Sequence, residues 1–316
     1  MTVGSVTMSP MQTGGIRLIV CATVAAAATG LLTPVTPAHA GQTVQRSARP
    51  ATAHRAAPTV SARAAYLVDT GTGTVHFSKQ AARRMPVASL TKIMTAYVVL
   101  REAGLNDTVT VNAGDVRHAA TNDATSAALR AGERLTVREL LYGAMLPSGA
   151  DATHALARVY GPGERRFVAK MNAAARSLGL SGTRYGNSDG LPEPSPGYST
   201  AQDQARLAEA ALADPVLRTI AATRRYVVRK SKVHRAHVWT NTNKLLGKEP
   251  GALGVKTGYT RAAGYCLSFA VDRDGRRMIG VVLGDSSAER RFRTAGRLLK
   301  WADDQMAGEG DSREDV

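Results

Sequence analysis

LGVKTGYTRAAGYCLSFAVDRDGRRMIGVVL, residues 253–283, decides the fold. Apolar residues alternate along 253–259, 264–271 and 277–283, and Asp272-Arg273-Asp274-Gly275 supplies turn residues between the last two runs. Such alternation bounded by turn chemistry predicts antiparallel strands. Two further strands are predicted far upstream, at 64–68 and 75–77, around Asp69-Thr70-Gly71-Thr72-Gly73. That glycine pair lacks the third glycine and the following helix of a phosphate loop, so a hairpin turn is the better reading. Between these ends the periodicity changes to that of helices, over 137–145, 152–160, 165–178 and 201–213, with a last helix at 288–301. Strands from both ends of the chain around a helical insert predict an α/β (α+β) fold, with one antiparallel sheet flanked by helices on both faces.

The chemistry-bearing residues fall at three places. Ser89-Leu90-Thr91-Lys92 follows Pro86, and Leu90, Ile93, Met94, Tyr97 and Val98 recur at helical spacing. A helix therefore begins near Ser89, and a residue three positions on lies on the same side, so Lys92 comes back over the Ser89 hydroxyl. A serine at a helix start also feels unpaired N–H groups and the positive end of the helix dipole. Taken alone, a core helix with a serine cap and a surface lysine accounts for this motif. Ser148-Gly149-Ala150 and Lys256-Thr257-Gly258 follow in order, and none of the three motifs has a histidine beside it. Together they read as a serine nucleophile activated by lysine, with a separate strand to hold an anion.

Other chemistries find less support. His234 and His237 are three apart, but no acid or third histidine sits at ligand spacing and Lys230, Lys232 and Arg235 repel a cation, so a basic surface strand or loop is expected and no metal or cofactor. His118 and His154 stand alone, without an assigned role. No Gly-x-Ser-x-Gly elbow occurs. Cys266 lies in an apolar run and reads as a small buried hydrophobe.

Residues 1–40 have the form of a targeting segment: Arg17, an apolar stretch over 18–32, and a small-x-small site at Ala38-His39-Ala40. Export is expected, with retention as an N-terminal anchor the alternative. Residues 41–61 read as a flexible basic linker, 62–305 as one catalytic domain, and the acidic 306–316 as a disordered tail. The formal charge is +16 and aromatic residues make up 5%. No nucleic-acid motif accompanies that charge, so anionic wall polymers are the expected neighbours and nucleic acid is not.

Over about 62–305 the chain resembles the low-molecular-mass penicillin-binding proteins, specifically the serine D-alanyl-D-alanine carboxypeptidases of the β-lactamase-like superfamily. Beyond the three motifs, the resemblance rests on Leu146-Pro147-Ser148-Gly149, Phe167-Val168 with Met171-Asn172, Asn187 with Gly190-Leu191, Asn241 to Leu246, and Gly254 to Thr260. It implies a five-stranded sheet domain packed on an all-helical subdomain, with the site between them. It implies that Ser89 forms an acyl-enzyme, Lys92 is the base and Ser148 relays a proton. Lys256 and Thr257 would hold the substrate carboxylate, and Gly258 would let the substrate approach the strand. The N–H groups of Ser89 and Tyr259 would form the oxyanion hole, and Arg291, or Arg290 beside it, would support the carboxylate. Burial and the neighbouring Lys256 would both favour neutral Lys92.

The implied substrates are peptidoglycan stem peptides ending in D-Ala-D-Ala, with β-lactam antibiotics as covalent inhibitors and a monomer as the expected state. One catalytic domain without a glycosyltransferase-like extension favours carboxypeptidase over endopeptidase or transpeptidase. One feature departs from the pattern. Ala150 stands where the motif has asparagine, removing a hydrogen bond worth about 1–3 kcal/mol. No Glu-x-x-Leu-Asn loop is present, which disfavours a β-lactamase; Asp189 in Asn187-Ser188-Asp189-Gly190-Leu191 reads as a turn residue. A non-catalytic wall-binding protein is the remaining alternative.

Overall fold

The structure, a computed structural model, describes residues 56–193 and 195–311. The targeting segment, most of the basic linker and residues 312–316 lie outside the described residues.

The early hairpin forms as β1 (Ala64–Asp69) and β2 (Val75–Lys79), and the late series as β7 (Ala252–Thr260), β8 (Gly264–Arg273) and β9 (Arg276–Asp285). They make one five-stranded antiparallel sheet in the order β2-β1-β9-β8-β7. Asp69 closes the first turn by accepting the N–H groups of Gly71 and Thr72. Period-two alternation sorts the side chains between the two faces. Leu67, Leu267, Phe269 and Val282 pack with Leu298 and Leu299 of α8 (Ala288–Asp311) on one side. Tyr66, Ala270, Ile279 and Val281 join the larger core on the other, where α6 (Ala201–Leu212) crosses the sheet. Because both faces are covered, these strands are apolar on both.

The helical part is built around α1 (Thr91–Glu102), whose residues from Thr91 to Val99 are buried throughout. It packs against α3 (Val137–Met145), α4 (Ala150–Tyr160) and α5 (Glu164–Ser177). Capping explains where some helices start. Thr136 and Glu139 form a reciprocal capping box on α3, and Asn112 and Asp115 do the same for α2 (Ala113–Thr121). The sequence pattern gave no sign of α2, which is short and weakly apolar, nor of α7 (Pro215–Ala222), which opens on Asp214-Pro215. Two small ribbons were also unforeseen: β3 (Thr108–Thr110) with β4 (Arg134–Thr136), and β5 (Arg225–Val228) with β6 (His237–Thr240). The second corrects the surface reading of His237, which is buried on β6 and faces Glu133 at 3.2 Å.

The domain edges also differ from expectation. Val60 and Ser61 belong to the fold: Lys79 donates to the Val60 carbonyl at 2.8 Å and Ser61 to Asp285 at 2.8 Å. The last helix continues to Asp311, so 306–311 is helical where a disordered tail was expected. Contacts past Trp301 hold it, among them Arg273 to Asp303 at 2.8 Å.

Candidate active site

Ser89 sits in a single 3-10 turn, Ala88–Leu90, that leads directly into α1. Ala88 just before it has φ +50°, a left-handed conformation that costs a non-glycine residue of order 1–3 kcal/mol. One turn on, Lys92 donates to Ser89 Oγ at 3.1 Å and to the Asp189 carbonyl at 2.9 Å. Lys92 is only 2% exposed. Burial holds its ammonium below the ordinary lysine pKa, while the carboxylates of Asp189 and Asp151 pull the other way. The expected influence of Lys256 appears on the other partner: Lys256 is pushed well below its ordinary value, first by burial and then by the charges of Lys92 and Arg291.

Ser148, in the tight link between α3 and α4, is buried and also left-handed, with φ +69°. With Ser89, Lys92, Thr242, Thr257 and Arg291 it lines a cleft of about 430 Å³. Ala150 is buried and does not line that cleft; Asn122 and Thr125 stand on its wall instead. Asp151 proves to be an early-turn acid that also accepts from Ser126 Oγ and from the N–H groups of Ala127 and Leu129, tying that segment to α4.

The opposite wall is β7. Lys256 is 1% exposed and donates to the Thr257 carbonyl at 3.0 Å. Thr257 Oγ1 lies 2.6 Å from Thr242 Oγ1, a partner that the sequence placed in a family-like segment without giving it a role. Tyr259 is 51% exposed at the rim, stacked on Tyr265 at 4.3 Å. Arg291 is buried, donates to the carbonyls of Gly258 at 3.0 Å and Cys266 at 3.2 Å, and keeps Nε without a hydrogen-bond partner among the described residues. Arg290 points away, to Ser286 Oγ at 3.0 Å, so of the two arginines only Arg291 reaches the cleft. The need for glycine at 258 differs from expectation. A Cβ there would stand 3.0 Å from the Val87 carbonyl oxygen and 3.1 Å from the Ser89 nitrogen, so Gly258 lets β7 close on the nucleophile turn itself.

Gly190 serves the same turn from the other side. Its φ is +81°, and a Cβ would fall 2.0 Å from the Ala88 carbonyl oxygen. The neighbouring Asp189 keeps the expected turn role, accepting from the Leu191 N–H at 3.1 Å, but it is also ion-paired with His118 at 2.7 Å. His118 stacks on His154 with ring centroids 4.5 Å apart, so neither histidine stands alone. Cys266 is fully buried, and burial pushes its thiol up to about 11. Among the described residues no His, Cys, Asp and Glu gather into a group able to hold a metal ion.

A serine bonded to a buried lysine, facing a strand whose own lysine has no carboxylate paired with it among the described residues, is the arrangement of a serine acyl-transfer enzyme. The comparisons with known proteins agree. Residues 51–287 match the D-alanyl-D-alanine carboxypeptidase family, and the chain belongs to it as a serine peptidase. It is 39% identical to the D-alanyl-D-alanine carboxypeptidase of Streptomyces sp. (strain K15), over 77% of this chain and 88% of that protein. It is 34% identical to the carboxypeptidase DacF of Bacillus subtilis (strain 168), over 76% of this chain and 62% of DacF. The crystal structure of the Streptomyces K15 DD-transpeptidase superposes with a TM-score of 0.74 at 39% identity, over 78% of this chain and 98% of that one.

Proposed function

We propose that this chain is a penicillin-sensitive serine DD-carboxypeptidase that removes the terminal D-alanine of peptidoglycan stem peptides. The observation that carries the reading is the 3.1 Å contact of the buried Lys92 amine with Ser89 Oγ. Ser89 Oγ attacks the carbonyl between the two D-alanines while its proton passes to neutral Lys92. The C–N bond breaks as that proton reaches the departing amine through Ser148. Water then attacks the ester carbonyl as its proton passes to Lys92, and Lys92 hands that proton on to the departing Ser89 Oγ, so that the Ser89 hydroxyl and neutral Lys92 are regenerated. Lys256, Thr257 and Arg291 hold the substrate's terminal carboxylate, and the N–H groups of Ser89 and Tyr259 stabilise the oxyanion.

The test pairs covalent labelling by a fluorescent penicillin with D-alanine release from an acyl-lysyl-D-Ala-D-Ala peptide. Ser89→Ala is expected to lose both by about 10⁴-fold or more, the size of effect seen when a nucleophile is removed. Release without dependence on Ser89 would end the reading, as would rapid turnover of a chromogenic cephalosporin. Resemblance to a DD-transpeptidase supports a second acceptor, so the same assay with an added amine distinguishes hydrolysis from transfer.

The substrate lies outside the cell membrane, so this reading carries with it export through residues 1–40. It also assigns a neighbour to the basic surface. Arg290, Arg293, Arg297 and Lys300 form one exposed stripe on α8 along a groove floored by Val60. Arginine forks suit phosphodiesters, and among the described residues no large apolar side chain lining this groove is exposed. Anionic wall polymers are the proposed occupants. Arg293→Glu with Arg297→Glu is expected to elute earlier from immobilised polyphosphate while labelling with penicillin unchanged; equal retention would remove this partner.

A further inference from the structure

Behind Ser89 and Lys92 lies a line of charged groups that the acylation steps leave unused. Asp189 points two ways: its carbonyl accepts from Lys92 at 2.9 Å, and its carboxylate meets His118 Nε2 at 2.7 Å. His118, on α2, stacks on His154 of α4, and His154 Nδ1 lies 2.7 Å from Asp115. Arg158 closes the line on Asp115 at 2.9 Å. The loop is also fastened at its neighbour, since Glu164 at the start of α5 accepts from the Ser188 N–H at 2.6 Å and from its hydroxyl at 3.0 Å. The groups facing His118 are therefore Asp189, Lys92 and Glu164 on the loop side, and His154, Asp115 and Arg158 on the other.

Asp189 is 1% exposed, and a carboxylate so buried needs a counter-charge. Lys92 could supply it only as an ammonium, which is the form unable to take the serine proton. His118, when protonated, is the cation that touches the carboxylate itself, at 2.7 Å, whereas Lys92 reaches only the Asp189 carbonyl. We propose that His118 is a positioning residue of acylation: its imidazolium, seated on the Asp189 carboxylate, pins the 187–191 loop carbonyl against Lys92 and offsets the negative charge behind that amine. This rests on the reading of Ser89 and Lys92 given above. The titration of the pair is consistent with it. The bond to Asp189, working against burial, raises the His118 pKa above its ordinary value. Burial raises that of Asp189, and the bond to His118 with the Lys92 charge more than offsets it.

The device has a signature that simple support of the fold lacks. Without the imidazolium, Asp189 favours protonated Lys92, and the acidic limb of the acylation rate moves to higher pH. Without the carboxylate, the ammonium loses a neighbour and the limb moves to lower pH. The measurement is the second-order rate of Ser89 labelling by fluorescent penicillin across the pH range, on the whole protein, with thermal melting as a check of folding.

His118→Gln is expected to move the limb up by about one pH unit, which is roughly a tenfold slower rate on that limb. Asp189→Asn is expected to move it down by a similar amount. The double variant is expected to return close to the unaltered profile, and His118→Arg, which restores a cation, to do the same. A limb that stays in place in both single variants overturns the proposal, even if the plateau falls. So do shifts in the same direction. Absence of labelling in the unaltered protein is a different result, because it removes the acyl-enzyme reading itself.

Discussion

The two walls of the cleft each bury a lysine, and they treat it in opposite ways. On the helical wall Lys92 has a hydroxyl and a carbonyl to bond, and the carboxylates of Asp189 and Asp151 nearby. On the strand wall Lys256 has one carbonyl at 3.0 Å, and the charges that act on it are both positive, Lys92 and Arg291. Burial alone lowers both amines. The surroundings decide the use: the first is balanced enough to exchange a proton, and the second lacks an anion that an incoming carboxylate supplies.

Removing the strand-wall amine breaks this contrast most sharply. Lys256→Met is expected to lower kcat/KM for the peptide by about 10²-fold, chiefly through KM, because a charged hydrogen bond to the substrate carboxylate is lost. The same change is expected to stabilise the empty protein by about 1–2 kcal/mol, since a buried amine disfavoured by desolvation and by the charges of Lys92 and Arg291 is removed. The sign with pH follows from linkage. Both lysines have lowered values in the folded chain, so the unfolded chain binds more protons above those values. Stability therefore rises with pH toward the ordinary lysine value of about 10.4, and Lys256→Met flattens part of that rise. Chemical denaturation at several pH values checks it; a flat profile in the unaltered protein contradicts the account of both amines.

A smaller effect sharpens the comparison without touching a charge. Gly258→Ala places a methyl 3.0 Å from the Val87 oxygen and 3.1 Å from the Ser89 nitrogen, forcing β7 and the nucleophile turn apart by tenths of an ångström. Acylation is expected to slow by about tenfold with little change in melting temperature, because catalysis depends steeply on sub-ångström placement. An unchanged labelling rate means the two walls move independently.

The sheet was legible because its alternation is regular and its turns carry Asp-Gly, as at Asp274-Gly275 between β8 and β9. The motif serines and lysines were legible because local spacing brings Lys92 over Ser89, and because the order of the three motifs matches a known family. His118 was not. It lies on a short helix without a strong apolar stripe, and its partner Asp189 is 71 residues away in a loop, so no periodicity joins them. Nor does the sequence show the work of Thr242, for its bond to Thr257 exists only once 241–243 is folded against β7. The purpose of Gly258 was read as room for a ligand, whereas the close approach is to the chain's own turn; sequence gives the need for a small residue and not the direction it faces.

The pairing of β1 with β9 joins Ala64 to Leu283 at the middle of the sheet. Long-range pairing of this kind forms late, since the intervening chain must close on itself first. A ribosome that has delivered the serine and its amine has still not delivered the floor on which they rest. The growing polypeptide is therefore expected to stay chemically silent until β9 has been made, and a product cut short before that strand to be inert.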